Sequence, residues 1–295
     1  MVSEAVKPLT VPKEFLGPPK GFNPTLLVFI LAIGGLVLST TGYLYWHLPA
    51  WCSFIFNTIA LHVLGTVVHD ACHDSAHSDR FMNGFMGQVS AFLICTTFPV
   101  FTRVHMQHHA HVNHPDDDPD HYVSHGGPLL LIAPRFFYHE VFFLKRRLWI
   151  KNEFYEWLVA RLLLVAIVAF AIYRDGVQEG AFSFIMTFWF LPAMVVGSVL
   201  GLFFDYLPHR PFQERDRWKN ARVYPNQLLN WLIMGQNYHL VHHLWPSIPW
   251  YQYQPAYYAV KPLLDDKGCH QTIGLWDREN FWPFVYDIFI GLHKH

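Results

Sequence analysis

Asn237-Tyr238-His239-Leu240-Val241-His242-His243 is the stretch whose reading decides the fold. It carries the pattern His-x-x-His-His, which stands earlier as His105-x-x-His108-His109, after a pair His69-x-x-x-His73. On an α-helix, offsets of three and four residues fall on one face, so each group aims its imidazoles at a common spot. Imidazoles crowded inside a protein repel when protonated and waste polar groups when left unpaired. A metal ion removes both problems, because neutral imidazole is a good ligand for iron, zinc, copper or nickel. One such pair on a helix is ordinarily a satisfied core or surface feature; three groups together indicate a metal centre. Eight imidazoles also exceed what one ion takes, so two ions are expected.

The surrounding chain is built for a membrane. Its 295 residues are 52% hydrophobic and 17% aromatic, with 15% charged, against about a quarter charged in a soluble domain. A net charge of -1 gives no electrostatic case for nucleic acid. Cys52, Cys72, Cys95 and Cys269 have no paired spacing, which excludes a disulfide framework and a thiolate site. The active face should therefore meet a reducing compartment.

Outward from the histidine groups, four apolar runs have the length of one bilayer crossing: Thr25–Tyr45, Trp51–Val68, Trp157–Tyr173 and Phe182–Phe204. Gly84–Phe101 is apolar too, but a crossing there would put His73 and His105 on opposite faces of the bilayer. It is read as a buried or half-inserted helical segment between two parts of one site. Leu129–Leu144, interrupted by Arg135, His139 and Glu140, reads as an interfacial helix. Four crossings return every histidine group to one side. Lys145, Arg146, Arg147, Lys151, Arg215, Arg217, Lys219 and Arg222 fall on that side too, so it is expected to be cytoplasmic. The fold class expected is all-α and integral to the membrane: four transmembrane helices, interfacial helices and a histidine-rich cap. Residues 1–24 form an N-terminal arm, 25–268 the domain, and 269–295 a C-terminal tail.

Further residues flank the three groups. Asp205-x-x-x-His209 follows the fourth run, and its position makes His209 a candidate ninth ligand, although Pro208 argues for a distorted helix end. Asp205, Asp70, Asp118, Asp120 and Asn237 are candidates to orient imidazoles from behind or to hold a bound water. Asp116 and Asp117 read equally well as a solvated acidic loop, and His77 as a polar neighbour. His111, His114, His121, His125 and His139 share no spacing and take the ordinary reading. Phe98, Phe101, Tyr206, Trp231 and Trp245 could line an apolar substrate channel, though core packing or lipid contact explains each as well.

The order His-x3-His, His-x2-His-His, His-x2-His-His, with paired apolar runs between, resembles the membrane fatty-acid desaturase and hydroxylase superfamily. The resemblance implies that the groups bind two non-haem irons. It also implies that His209 matches a further ligand on the fourth span, with Asp205 as a polar residue near the metal. Asp118-Pro119-Asp120 is similar to the Asp-Pro-Asp element of that superfamily. Residues 101–109 (FTRVHMQHH), 201–211 (GLFFDYLPHRP), 214–225 (ERDRWKNARVYP) and 233–251 (IMGQNYHLVHHLWPSIPWY) are more specific. They resemble the cyanobacterial-type β-carotene 3-hydroxylases, over roughly residues 60 to 265. That likeness implies O2-dependent hydroxylation of β-carotene from the bilayer to β-cryptoxanthin and zeaxanthin, in a cell or thylakoid membrane. A separate donor such as ferredoxin would supply electrons, docking near the basic run 145–151. Carotenoid 4-ketolases and fatty-acyl desaturases share the same histidine groups. From another class, a membrane haem electron carrier with bis-His ligation is the alternative, although its histidine pairs should lie inside the spans.

Overall fold

The computed structural model describes residues 10–18, 20–177, 180–275 and 278–293, and it is helical, with no strand among those residues. The first nine residues of the expected arm lie outside the described residues. The described part of that arm is tied down: Val11 is buried in the cap core, and the Gly17 N–H donates to the Ser247 carbonyl at 2.8 Å.

Four helices are long and apolar enough to span a bilayer. They are α1 (Pro24–Trp46), α2 (Ala50–Cys72), α7 (Glu153–Asp175) and α8 (Gly180–His209). Asn23 caps α1, its side chain accepting from Leu26 N, and Pro24 at the first turn is preset for helix. His47, left-handed at φ 57°, ends α1 and turns the chain back into α2. Near the turn, the Ser39 and Ser53 hydroxyls each donate to the other's backbone carbonyl, at 3.3 and 3.1 Å, which stitches the hairpin. Asn57 ties α2 to α8 by donating to Phe188 O at 2.8 Å.

Between the span pairs, α3 (Arg80–Leu93) and α4 (Phe98–His111) meet at 97°. The chain dips in and turns back, so α4 delivers its histidines to the end of α2, where the His73 and His105 ring centres lie 5.0 Å apart. Gly87 makes this elbow possible, because a Cβ there would sit 2.5 Å from the Phe98 ring. Gly87→Val should therefore push the elbow apart and destabilise the protein by about 1–3 kcal/mol, the usual cost of overpacking. A lower thermal midpoint in detergent checks this, and an unchanged midpoint refutes the role given to the elbow.

The cap is made of short elements: α5 (Pro119–His125), α6 (Phe137–Arg146), α9 (Gln227–Leu232), α10 (His239–Leu244) and α11 (Tyr253–Asp266). Leu129–Leu144 is broken into two turns before α6, as a segment interrupted by Pro134 and polar residues should be. Its small residues pack on α8, Ala133 lying 3.2 Å from where a Gly197 Cβ would be. Buried Tyr238, Leu240, Val241, Tyr253 and Tyr257 form one core that fixes α10 against α11. Among the described residues of the expected tail, Leu275 is buried, and α12 (Arg278–Phe289) packs on the end of α8.

Candidate metal centre

Each histidine group reaches the centre because its helix ends there. His69 and His73 close α2, His105, His108 and His109 fill the last turns of α4, and His239, His242 and His243 make up half of α10. His209 ends α8, whose last stretch winds more widely at Gly201–Tyr206 before a final turn. Such local π-turns shift register and recur at functional sites.

The structure brings all nine together, in two sets. Nitrogens of His69, His73, His105 and His242 lie within 4.8 Å of one another, as do those of His108, His209, His239 and His243. His109 sits between, its Nε2 at 3.1 Å from His105 and 2.9 Å from His242, its ring stacked 4.4 Å from His243. His77 joins neither set; its Nδ1 accepts from the Asp79 N–H.

Whether cations fit here is decided by proton placement. In the second set, three Nδ1 atoms face oxygen acceptors: His108 faces Asp118 at 2.8 Å, His209 faces Asn220 O at 2.9 Å, and His239 faces Gln236 Oε1 at 3.0 Å. A neutral ring that donates from Nδ1 presents a bare lone pair at Nε2. Those lone pairs converge, with His239 Nε2 3.1 Å from His209 Nε2, 2.9 Å from His243 Nε2, and His108 Nε2 3.4 Å from His243 Nε2. Acceptor facing acceptor at these distances is repulsive unless a cation lies among them. In the first set, both nitrogens of His69 and Nε2 of His73 are buried without a hydrogen-bond partner. Both sets fit metal ions.

Electrostatics agree. Burial, then the neighbouring imidazoles, holds His73, His239, His242 and His243 well below the ordinary histidine pKa, so the rings are kept neutral. Asp118 also accepts the Asn113 N–H at 2.7 Å, and Asp120 lies 3.4 Å from His108 Nδ1 and 2.9 Å from His139 Nε2. His108 is the exception among the rings: burial works to lower its pKa, but Asp118 and Asp120 outweigh it and raise it to about 9, so without metal this ring carries a proton that a bound cation would replace at Nε2.

The other sequence candidates fall in different places. Asp205 is half-buried at the cavity wall, with Oδ2 buried and without a hydrogen-bond partner. Asp70 points away from the imidazoles, accepting Thr25 Oγ1 at 3.0 Å and the Trp250 N–H at 3.2 Å, and so pins α1 and the cap to α2. Asn237 braces the backbone before α10, donating to Tyr224 O and Asn226 O at 3.3 Å. Of the five aromatics, Phe101 lines the cavity beside the histidines. Phe98 packs in the elbow, Tyr206 bonds Asp287, Trp231 is exposed on α9, and Trp245 lies against Trp218. Three partners carried no sequence signal of their own: Tyr253, whose hydroxyl meets His242 Nδ1 at 3.1 Å, the Asn220 carbonyl, and His139. Gln236 stands one turn before His239, a spacing that could have marked it.

The cavity runs from the histidines into the membrane domain. Gly65, Ala193, Met194, Gly197 and Leu200 give it an apolar wall drawn from α2 and α8. Phe204 sits edge-on to His69, ring centres 5.9 Å apart. At its far side Glu140 binds Arg161 and Trp157, and Arg161 donates to Cys95 O at 3.2 Å, tying α6 and α7 to the elbow.

Comparison with known proteins identifies the group. A β-carotene ketolase of Paracoccus sp. is 31% identical over 193 residues, which cover 63% of this chain and 70% of that protein. A dihydrorhizobitoxine desaturase of Bradyrhizobium elkanii is 27% identical over 248 residues, covering 72% and 67%. An sn-1 oleoyl-lipid 12-desaturase of Picosynechococcus sp. is 23% identical over 289 residues, covering 85% and 80%. The sequence profile of the fatty acid desaturase family matches residues 44–274, from the end of the first span to beyond the last histidine group, and the chain belongs to that family.

Proposed function

We propose that this chain is a membrane oxygenase that uses two iron ions and O2 to hydroxylate the β-ring of a carotenoid at carbon 3. The observation that carries the reading is the convergence of nine imidazoles on an apolar cavity that opens between membrane helices. The bound metal pair would supply O2 activation strong enough to attack an unactivated C–H, with electrons from a separate carrier. The chain supplies everything else. His69, His73, His105, His109 and His242 would hold one ion; His108, His209, His239 and His243 would hold the other. Asp118, Asn220 O and Gln236 keep three Nδ1 protons in place, so the Nε2 lone pairs stay aimed inward. Small residues at Gly65, Ala193 and Gly197 leave room for a ring arriving from the bilayer, and Phe101 and Leu200 flank it. The apolar wall would limit the water reaching the bound metal pair, which would suppress side reactions. The basic run 145–151 is the candidate docking surface for an acidic donor of the ferredoxin kind.

A second reading is favoured by the Paracoccus relatives: ketolation at ring carbon 4. Carbons 3 and 4 are adjacent, about 1.5 Å apart, so a small difference in ring seating separates the two products. Expression in a bacterium that accumulates β-carotene, with pigment analysis, decides. Zeaxanthin is the expected product. Echinenone or canthaxanthin would establish the ketolase reading, and unchanged carotene with altered fatty acids would overturn both in favour of a desaturase.

A further inference from the structure

We infer that helix α12 is a clasp that sets the position of His209, and that Asp287 is its positioning residue. Asp287 is 6% exposed, a rare state for a carboxylate unless it is paired. Its partners come from the end of α8: the Tyr206 hydroxyl donates to Oδ2, and Arg210 Nε lies 3.8 Å from the same oxygen. The other oxygen meets His293 Nε2 at 2.6 Å. Arg210 also donates to Asn280 O at 2.8 Å, and its guanidinium lies 5.9 Å from the Phe284 ring centre. Tyr206 and Arg210 therefore bracket His209, three residues before it and one after, and both are held by α12. The wide turn at 201–206 has a looser hydrogen-bond pattern than an α-helix, so the end of α8 needs such outside support.

The clasp is seated at a second point. Gly291 is left-handed at φ 55°, and a Cβ there would lie 2.3 Å from Gly127 O. Only glycine allows this approach. Gly291 takes no part in the side-chain contacts of Asp287 with Tyr206 and Arg210, so replacing it unseats the clasp while leaving those three side chains in the chain. The stakes follow from geometry. His209 Nε2 is 3.1 Å from His239 Nε2, and Asn220 O fixes only the far side of the ring. A freed α8 end would leave the second set with three nitrogens, while the first set, built from α2, α4 and α10, keeps its ligands.

This inference rests on reading the second set as a metal site, and metal content tests both. The full chain, purified in detergent and loaded with Fe(II) or Co(II), is compared with Asp287→Ala, Asp287→Asn, Gly291→Val, His209→Ala and a surface control, Asp265→Ala. Two metals per chain are expected for the wild type and the control. Asp287→Ala, Gly291→Val and His209→Ala should approach one, with the same part of the cobalt visible spectrum lost in all three. Asp287→Asn, which can still accept from Tyr206, should retain more metal than Asp287→Ala. Two metals retained in folded Asp287→Ala and Gly291→Val would overturn the clasp. So would loss of both metals together with the helical signal, since α12 would then support the whole fold. A wild type that binds no metal would instead overturn the reading of the site.

Discussion

His108→Ala is expected to reduce product formation more than 100-fold, the upper range seen when even an outer partner of a ligand is removed, while the protein stays in the membrane. His108 is buried at the junction of the design: its Nδ1 meets Asp118, its Nε2 faces His243, and its ring centre lies 4.7 Å from that of His209. Alanine removes a nitrogen from the second set and leaves Asp118 and Asp120 as buried carboxylates without a positive partner. His242→Ala should do the same to the first set, where Nε2 of His242 is 2.9 Å from His109 Nε2. Neither ring touches lipid, so membrane insertion has no reason to change. Because the two sets act as one unit, the double variant should be no worse than either single one. Asp118→Ala, which spares all nine ligands, should cost about 10–100-fold in metal affinity. The measurements are carotenoid product in a carotene-accumulating host and metal content of the purified chain. Full activity in His108→Ala or His242→Ala would remove those residues from the ligand set.

These expectations were within reach of sequence because the three histidine groups follow local rules. Spacings of three and four put His105, His108 and His109 on one helical turn, and apolar runs of bilayer length fixed how many times the chain crosses. The bend between α3 and α4 was legible for a different reason: His73 and His105 had to meet, and only a chain that turned back permitted it. What could not be read was long-range. Tyr253 reaches His242 across a turn and a loop, and His139 reaches Asp120 from another helix; no periodicity marks either. Asp70 sits within the first group yet faces Thr25 and Trp250, because the helix phase directs it away from the histidines. The four aromatics outside the cavity fail for a similar reason: ring size says nothing about facing. The terminal helix was hidden because its decisive contact joins Asp287 to Tyr206, far apart in sequence and adjacent only after folding.

Acid should unfold the metal-free protein steeply. His239 and His242 are buried and His73 and His243 half-buried, and all four are held well below the ordinary histidine pKa, by desolvation first and by neighbouring imidazoles second. In the unfolded chain they return to about 6.5. The unfolded state therefore takes up protons first as pH falls, and by linkage each such group makes stability drop. The contribution is complete above pH 6.5 or so and is lost progressively below it. Each ring approaches a slope of about 1.4 kcal/mol per pH unit, so four acting together approach about 5 kcal/mol per unit. That is comparable to the whole stability of a typical domain. Denaturation of the detergent-solubilised apoprotein at pH 7.5, 6.5 and 5.5 tests it: little change over the first step and a large loss over the second. A flat response would mean that these four rings take up protons in the folded state, which is incompatible with their being held neutral there. Metal loading should move the acid midpoint lower, because ligated nitrogens bind no proton until the ion leaves. His209→Ala should blunt that protection, while an exposed substitution such as Asp265→Ala leaves it intact.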